Sequence, residues 1–248
     1  MSVTAVALEM LFPAHIYCIA CGNLIDRSDT YGLCEKCLAS ISWLTGESCR
    51  SCERNLSKAE RDVQKPCAAC MGEDYAFERA YFCCAYRDSV ADMIRLMKYQ
   101  DASYVGKMLG EMMAERFLEE ADAHTGVLPE YDLLVPVPMH KIKKRKRGYN
   151  QAAVMAHEIS GKLAVPLCEE GLVRQRETDV MSGLFREERL MNLEGAFSVP
   201  ARSISQIQGK DILLIDDVFT TGSTAEACAR ALLDGGAQKV DLFAFAYA

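Results

Sequence analysis

The chain has 248 residues, half of them hydrophobic and a quarter charged, which is ordinary globular composition and enough for one substantial domain plus a smaller one. Its net charge of −7 argues against coating nucleic acid by bulk charge. No run approaches the ~20 apolar residues of a membrane span. The first apolar stretch, Val3 to Phe12, is short, carries Glu9 and has no basic residue before it, so it reads as a short amphipathic helix and not as a signal peptide. The expectation is a cytoplasmic protein, in a reducing compartment where twelve cysteines are not disulfides.

Eight of those cysteines form four Cys-x-x-Cys pairs: Cys18/Cys21, Cys34/Cys37, Cys49/Cys52 and Cys67/Cys70. Two intervening residues let both thiolates of a pair face one ion from a tight knuckle, and two knuckles complete a tetrahedral shell. The gaps of twelve and fourteen residues between knuckles are near those of zinc ribbons. The spacing predicts two structural Cys₄ zinc sites, 18/21/34/37 and 49/52/67/70, with an interleaved pairing of 18/21 with 49/52 as the alternative. Fully thiolate-filled sites have no open position for catalysis. The remaining cysteines, Cys83, Cys84, Cys168 and Cys228, sit in apolar surroundings and read as buried small hydrophobes. Residues 1–78 form this metal-stapled module, and 79–248 the second domain.

Ala80 to Tyr86 reads as a strand. Ser89 to Tyr99 and Val105 to Leu118 have helical apolar spacing, and the methionines of the second (Met108, Met112, Met113) read as core. Ala121 to Pro129 reads as a loop. Tyr131 to Pro138 is a buried strand ended by prolines. In the segment that follows, six of the seven residues 141–147 are cationic, on a chain acidic overall. This basic loop is a candidate polyanion site or a solvated charge run. Its place after a parallel strand favours the first, because ligands bind at the carboxyl edge of such sheets. Gln151 to Leu163 is an amphipathic helix, and Val165 to Leu167 and Leu172-Val173 are short strand candidates. The polar stretch Arg174 to Asn192 reads as a lid or a surface linker.

Ile212 to Ile215 is a buried strand, followed by Asp216-Asp217, then Val218-Phe219 and the loop Thr220, Thr221, Gly222, Ser223 and Thr224. An Ala-rich helix, Ala225 to Leu233, follows and stops at Gly235-Gly236; Val240 to Ala246 is the last strand. A helix N-terminus beside four hydroxyls is an anion site, and Gly222 permits a positive φ and a close approach of phosphate to backbone. Two acids beside a phosphate site suit a ligand that also brings hydroxyls or a divalent cation, as in ribose binding. No Gly-Lys-Ser/Thr follows, which excludes a P-loop. The alternation from residue 131 onward predicts an α/β fold with a mostly parallel sheet flanked by helices.

The 212–224 string resembles the phosphoribosyl-pyrophosphate signature of type I phosphoribosyltransferases, with Phe219 where that family usually has an aliphatic residue. The cysteine-rich segment, Leu96-Met97-Lys98-Tyr99, Val135-Pro136-Val137-Pro138-Met139-His140, Arg147-Gly148-Tyr149-Asn150-Gln151 and Arg189-Leu190-Met191-Asn192 with Gly195-Ala196-Phe197 complete an order that resembles the ComF family end to end. That family is competence-associated and joins a double zinc ribbon to a type I phosphoribosyltransferase-like domain. Met181-Ser182-Gly183-Leu184 departs from it where many relatives carry Gln-Thr-Gly-Leu. The resemblance implies that Asp216 and Asp217 contact the ribose diol as the catalytic pair. It gives Thr220 through Thr224 the 5′-phosphate of phosphoribosyl pyrophosphate, bound with Mg²⁺. On the same reading Lys144, Arg145, Arg147 and Lys98 serve the pyrophosphate. It also implies a role in handling incoming single-stranded DNA during natural transformation; the alternative reading is a non-catalytic zinc-containing adaptor that binds single-stranded DNA, a helicase or another DNA-uptake partner through its basic loop.

Overall fold

The computed structural model describes residues 17–25, 30–44, 75–99, 102–124, 130–176 and 193–248. The stretch Val3 to Phe12, the second cysteine set (Cys49, Cys52, Cys67, Cys70) and residues 177–192 of the polar stretch lie outside them.

Four parallel strands, β1 (Ala80–Ala85), β2 (Leu133–Pro136), β5 (Asp211–Phe219) and β6 (Lys239–Tyr247), form one sheet in the order β1-β6-β5-β2. Two short strands, β3 (Val173–Arg174) and β4 (Phe197–Ser198), pair antiparallel as a separate ribbon. The expected strand at Val165 to Leu167 is a single bridge, Leu134 to Leu167, on the outer side of β2. The central runs are apolar at successive positions because both faces are covered. On one face lie α2 (Asp88–Leu96), α3 (Ser103–His124) and α5 (Gln151–Leu163), with Met93, Met112, Met113, Met155 and Ile159 packed on Leu213 and Ile215. On the other lies α6 (Ser223–Asp234), with Cys228, Ala229 and Leu232 packed on Ile212 and Leu214. The methionine stripe is core, as expected, and Cys83, Cys84, Cys168 and Cys228 are buried.

Three local readings are corrected. The basic segment 141–147 is not a loop but a helix, α4 (Lys141–Arg147). Lys and Arg are good helix formers, and four of the six charges (Lys144, Arg145, Lys146 and Arg147) fall in the last turn, where the negative end of the helix dipole favours them. Gly148, at φ 91°, stops it. Helix α3 continues through 121–124, which reads as loop from its polarity. Strand β5 does not end at Ile215. It runs on through both acids to Phe219, because β6 is equally long and pairs with it as far as Phe219–Tyr247.

The first cysteine module, which carries the short helix α1 (Glu35–Ala39), docks on the outer edge of β1. Residues 42–44 add a short antiparallel stretch there: Leu44 N–H donates to Cys83 O and Ala85 N–H to Ser42 O, each at 2.9 Å. That pairing covers an otherwise open sheet edge. The Arg116 guanidinium of α3 lies over the Trp43 ring at 5.3 Å, and Tyr31 donates to Glu115. By Tyr75 the chain is part of the α/β body, and the Tyr75 ring stacks on buried Phe77 at 4.5 Å. Among the described residues no helix is long and apolar enough to cross a membrane.

Candidate functional site

Strand β2 pairs with β5 only as far as Pro136–Ile215, so β5 projects past it and carries Asp216 and Asp217 at a half-open sheet edge. There each acid is held by the backbone that follows it. Asp216 Oδ1 accepts from the Asp217 N–H, and Asp217 Oδ1 from the Val218 N–H, both at 2.9 Å. Burial, and then the adjacent Asp217 carboxylate, push the Asp216 pKa well above the usual carboxylate range, while Lys98 opposes the shift.

The hydroxyl loop turns directly from β5 into α6. Thr221 Oγ1 and Ser223 Oγ are 3.0 Å apart. Gly222, at φ 74°, is the N-cap residue, and no side chain caps the helix. The first-turn N–H groups of α6 therefore keep their capacity for an anion. The space that glycine leaves open is taken by rings. A Cβ at Gly222 would lie 2.7 Å from Tyr75 Cε1 and 2.8 Å from Phe219 Cζ. The unusual Phe219 is thus the partner of an aromatic group that also includes Phe77, Phe82 and Tyr247.

Across from the acids, a cleft of about 770 Å³ is lined by Lys98, Tyr99, Lys143, Lys146 and Arg147. Arg147 is half-buried; desolvation lowers its pKa, and the Asp217 carboxylate partly restores it. Acids and cations thus form one electrostatic group. Of the four cations expected for a polyanion, Lys98 and Arg147 line the cleft. Lys144 instead faces Glu169 at 3.6 Å, and Arg145 is exposed on α4. Lys143 and Lys146 take their place. The spacing 143, 146, 147 is one face of a helix, visible in the sequence only once the segment is read as helical.

The string Arg147 to Gln151 puts Arg147 on this cleft and braces its wall from behind. Tyr149 Oη donates to Met97 O at 2.5 Å and contacts Tyr99 O at 3.4 Å, which ties Lys98 and Tyr99 to the end of α4. Asn150 Nδ2 donates to Val137 O at 3.0 Å and pins the same corner to the end of β2. Arg174 of β3 lies over the Phe197 ring at 5.4 Å.

The metal reading holds for the first set. The Sγ atoms of Cys18, Cys21, Cys34 and Cys37 all lie within 4.8 Å of one another, with Cys21 and Cys34 at 3.8 Å. A tetrahedral shell with Zn–S of ~2.3 Å requires S···S of ~3.8 Å. Burial raises the Cys18 thiol pKa, but hydrogen bonds from the Cys21, Cys34 and Ala20 backbone outweigh it and bring the value to about 7. The pairing within this half is therefore 18/21 with 34/37, not interleaved.

Comparison with known proteins follows this division. Residues 7–71 match a double zinc ribbon domain, and residues 136–248 a phosphoribosyl transferase domain. Competence protein F of Haemophilus influenzae is 27% identical over 232 residues, covering 93% of this chain and 96% of that protein. The DNA utilization protein YhgH of Escherichia coli is 28% identical over 179 residues, covering 72% and 76%. Competence protein ComFC of Bacillus subtilis is 25% identical over 245 residues, covering 89% and 90%. A solved glutamine phosphoribosylpyrophosphate amidotransferase from B. subtilis is 17% identical, with a TM-score of 0.38 over 58% of this chain and 26% of its own.

Proposed function

The chain belongs to the ComF family, a double zinc ribbon ahead of a phosphoribosyl transferase domain, and from this we propose that it binds phosphoribosyl pyrophosphate with Mg²⁺ at the carboxyl end of β5. The observation that carries the reading is a juxtaposition. The acid pair stands between an uncapped, hydroxyl-rich helix N-terminus and a cleft lined by four cations. A terminal phosphate, a sugar diol and a pyrophosphate have that same order along one molecule.

In this reading Asp216 and Asp217 hold the ribose hydroxyls and Thr220 through Thr224 the 5′-phosphate. Arg147 and Lys98, with Lys143 and Lys146, receive the pyrophosphate. Transfer would develop positive charge on the ribose, favoured by the carboxylates, and negative charge on the leaving group, favoured by the cations. Mg²⁺, when bound, neutralises pyrophosphate charge. The zinc ribbon is structural, and the two working units are that ribbon and the α/β domain, which the chain has joined by Tyr75, ahead of the boundary at 78/79 expected from the sequence. The relatives' names suggest a role in competence and DNA utilization, which we propose is carried out in the cytoplasm.

Calorimetric titration with phosphoribosyl pyrophosphate in Mg²⁺ tests this. Wild type is expected to bind and the Asp216→Asn/Asp217→Asn variant not to; absence of binding by wild type would overturn the proposal. One observation favours a second reading, a grip on single-stranded DNA. Tyr99 is 69% exposed among the cleft's cations, as in grooves that combine basic groups with a stacking ring. That reading predicts DNA binding with a steep salt dependence that survives the double Asn variant.

A further inference from the structure

We propose that Tyr75 is a positioning residue of this site: its ring, wedged against Gly222 and Phe219, holds the loop Thr220 to Thr224 in the shape that receives a sugar phosphate. The proposal rests on the phosphoribosyl reading above. Gly222 is the loop's weakest point, since a glycine in the left-handed region loses the most conformational freedom on ordering. Bracing it in advance lowers the entropic cost of ligand capture.

The brace is visible atom by atom. Tyr75 Cε1 and Oη stand 2.7 and 2.9 Å from where a Gly222 side chain would begin. Tyr75 Oη donates to Thr221 O at 3.4 Å, a long contact. Its ring stacks on Phe77 at 4.5 Å and meets Phe219 edge-on at 6.2 Å. The next residue extends the brace to α6. Ala76 N–H donates to Glu226 Oε2 at 2.7 Å, and Glu226, in the first turn of α6, is only 2% exposed. Its other oxygen accepts from Arg230 Nε at 2.6 Å, so the anchor is itself fixed. Residues 75 and 76 thus hold both the loop and the helix start from the side of the aromatic cluster.

Wild type, Tyr75→Phe, Tyr75→Leu and Tyr75→Ala would be compared by hydrogen exchange of residues 220–224 without ligand. Their affinities for phosphoribosyl pyrophosphate with Mg²⁺ would be measured by calorimetry. Tyr75→Ala and Tyr75→Leu are expected to exchange faster in that loop alone and to bind about five- to tenfold more weakly. Tyr75→Phe, which keeps the ring, should stay within about twofold of wild type, because the long hydroxyl contact is weak. Should Tyr75→Ala fail to fold, Tyr75→Leu decides. Equal affinity and unchanged loop exchange in the ringless variants would overturn the role of Tyr75 alone. Faster exchange spread over the whole sheet would overturn it too, as the mark of a general packing residue. No binding by wild type would instead overturn the phosphoribosyl reading and this role with it.

Discussion

At Asp216 an acid proposed to hold the ribose sits where folding does not favour its charge. It is half-buried beside a second carboxylate, and its pKa is raised by that burial first and by Asp217 next. An acid whose folded pKa lies above its unfolded value makes the native state hold the proton more tightly. Stability therefore declines as pH rises from the usual Asp range toward the raised folded value. Asp216→Asn removes the charge and keeps the shape. The variant should melt above wild type at neutral pH, with the gain shrinking near pH 4, where wild type is itself protonated. Its affinity for phosphoribosyl pyrophosphate should fall roughly 10- to 100-fold, the worth of one hydrogen bond to a charged group. A thermal melt at both pH values with one titration checks both halves; a lower melting point at neutral pH would contradict the stability argument.

At the scale of elements, the basic helix α4 has one face on the cleft and one away from it. Lys143, Lys146 and Arg147 line the cleft, while Lys144 and Arg145 do not. Alanine preserves the helix, so side-chain charge can be tested apart from structure. Replacing the three cleft residues with alanine should weaken binding of polyanions about 100-fold. For single-stranded DNA it should reduce the slope of log affinity against log salt by roughly two, at ~0.7 per neutralised phosphate. The pair Lys144→Ala/Arg145→Ala should change either quantity by less than about threefold, through bulk charge alone. Equal effects of the two sets would mean that the helix acts as a diffuse charge and not as a cleft wall. Tyr149 links this helix to the end of α2, since the same hydroxyl that meets Met97 O and Tyr99 O keeps Lys98 on the cleft.

For the whole molecule, the first cysteine module is no appendage. Cys18, Ile19, Leu33, Cys37 and Ile41 belong to the same buried cluster as Met112, Met113 and Phe243, and residues 42–44 close the β1 edge. Its knuckles cannot hold their shape without a shared ion, because metal binding and folding are coupled in such small sites. Zinc removal should therefore be felt in the α/β body. A strong chelator, or Cys34→Ser, is expected to cost about 2 kcal/mol or more and lower the melting temperature by roughly 4–8 °C. Native protein should carry about two zinc ions per chain by elemental analysis, one fewer after Cys34→Ser. An unchanged melt after proven zinc loss would show that the ribbon's packing adds nothing.

What the sequence determined by itself was local chemistry. The cysteine spacings announce their metal because two knuckles of that length reach one ion. The run from Ile212 to Thr224 marks a candidate site because strand, acids, hydroxyls and helix start are contiguous, so no long-range contact is needed to bring them together. Only the tertiary structure decided what depends on neighbours distant in sequence. It carried β5 past its apolar run, because β6 pairs there. It turned a charge run into a helix with one face on the cleft, selecting Lys143 and Lys146 over Lys144 and Arg145. It brought Tyr75 onto Gly222, a contact spanning 146 residues to Thr221, which no pattern in either segment encodes. The physical reason is the same in each case: side-chain types are written in the chain, but which surfaces meet is settled by burying the two faces of one sheet together.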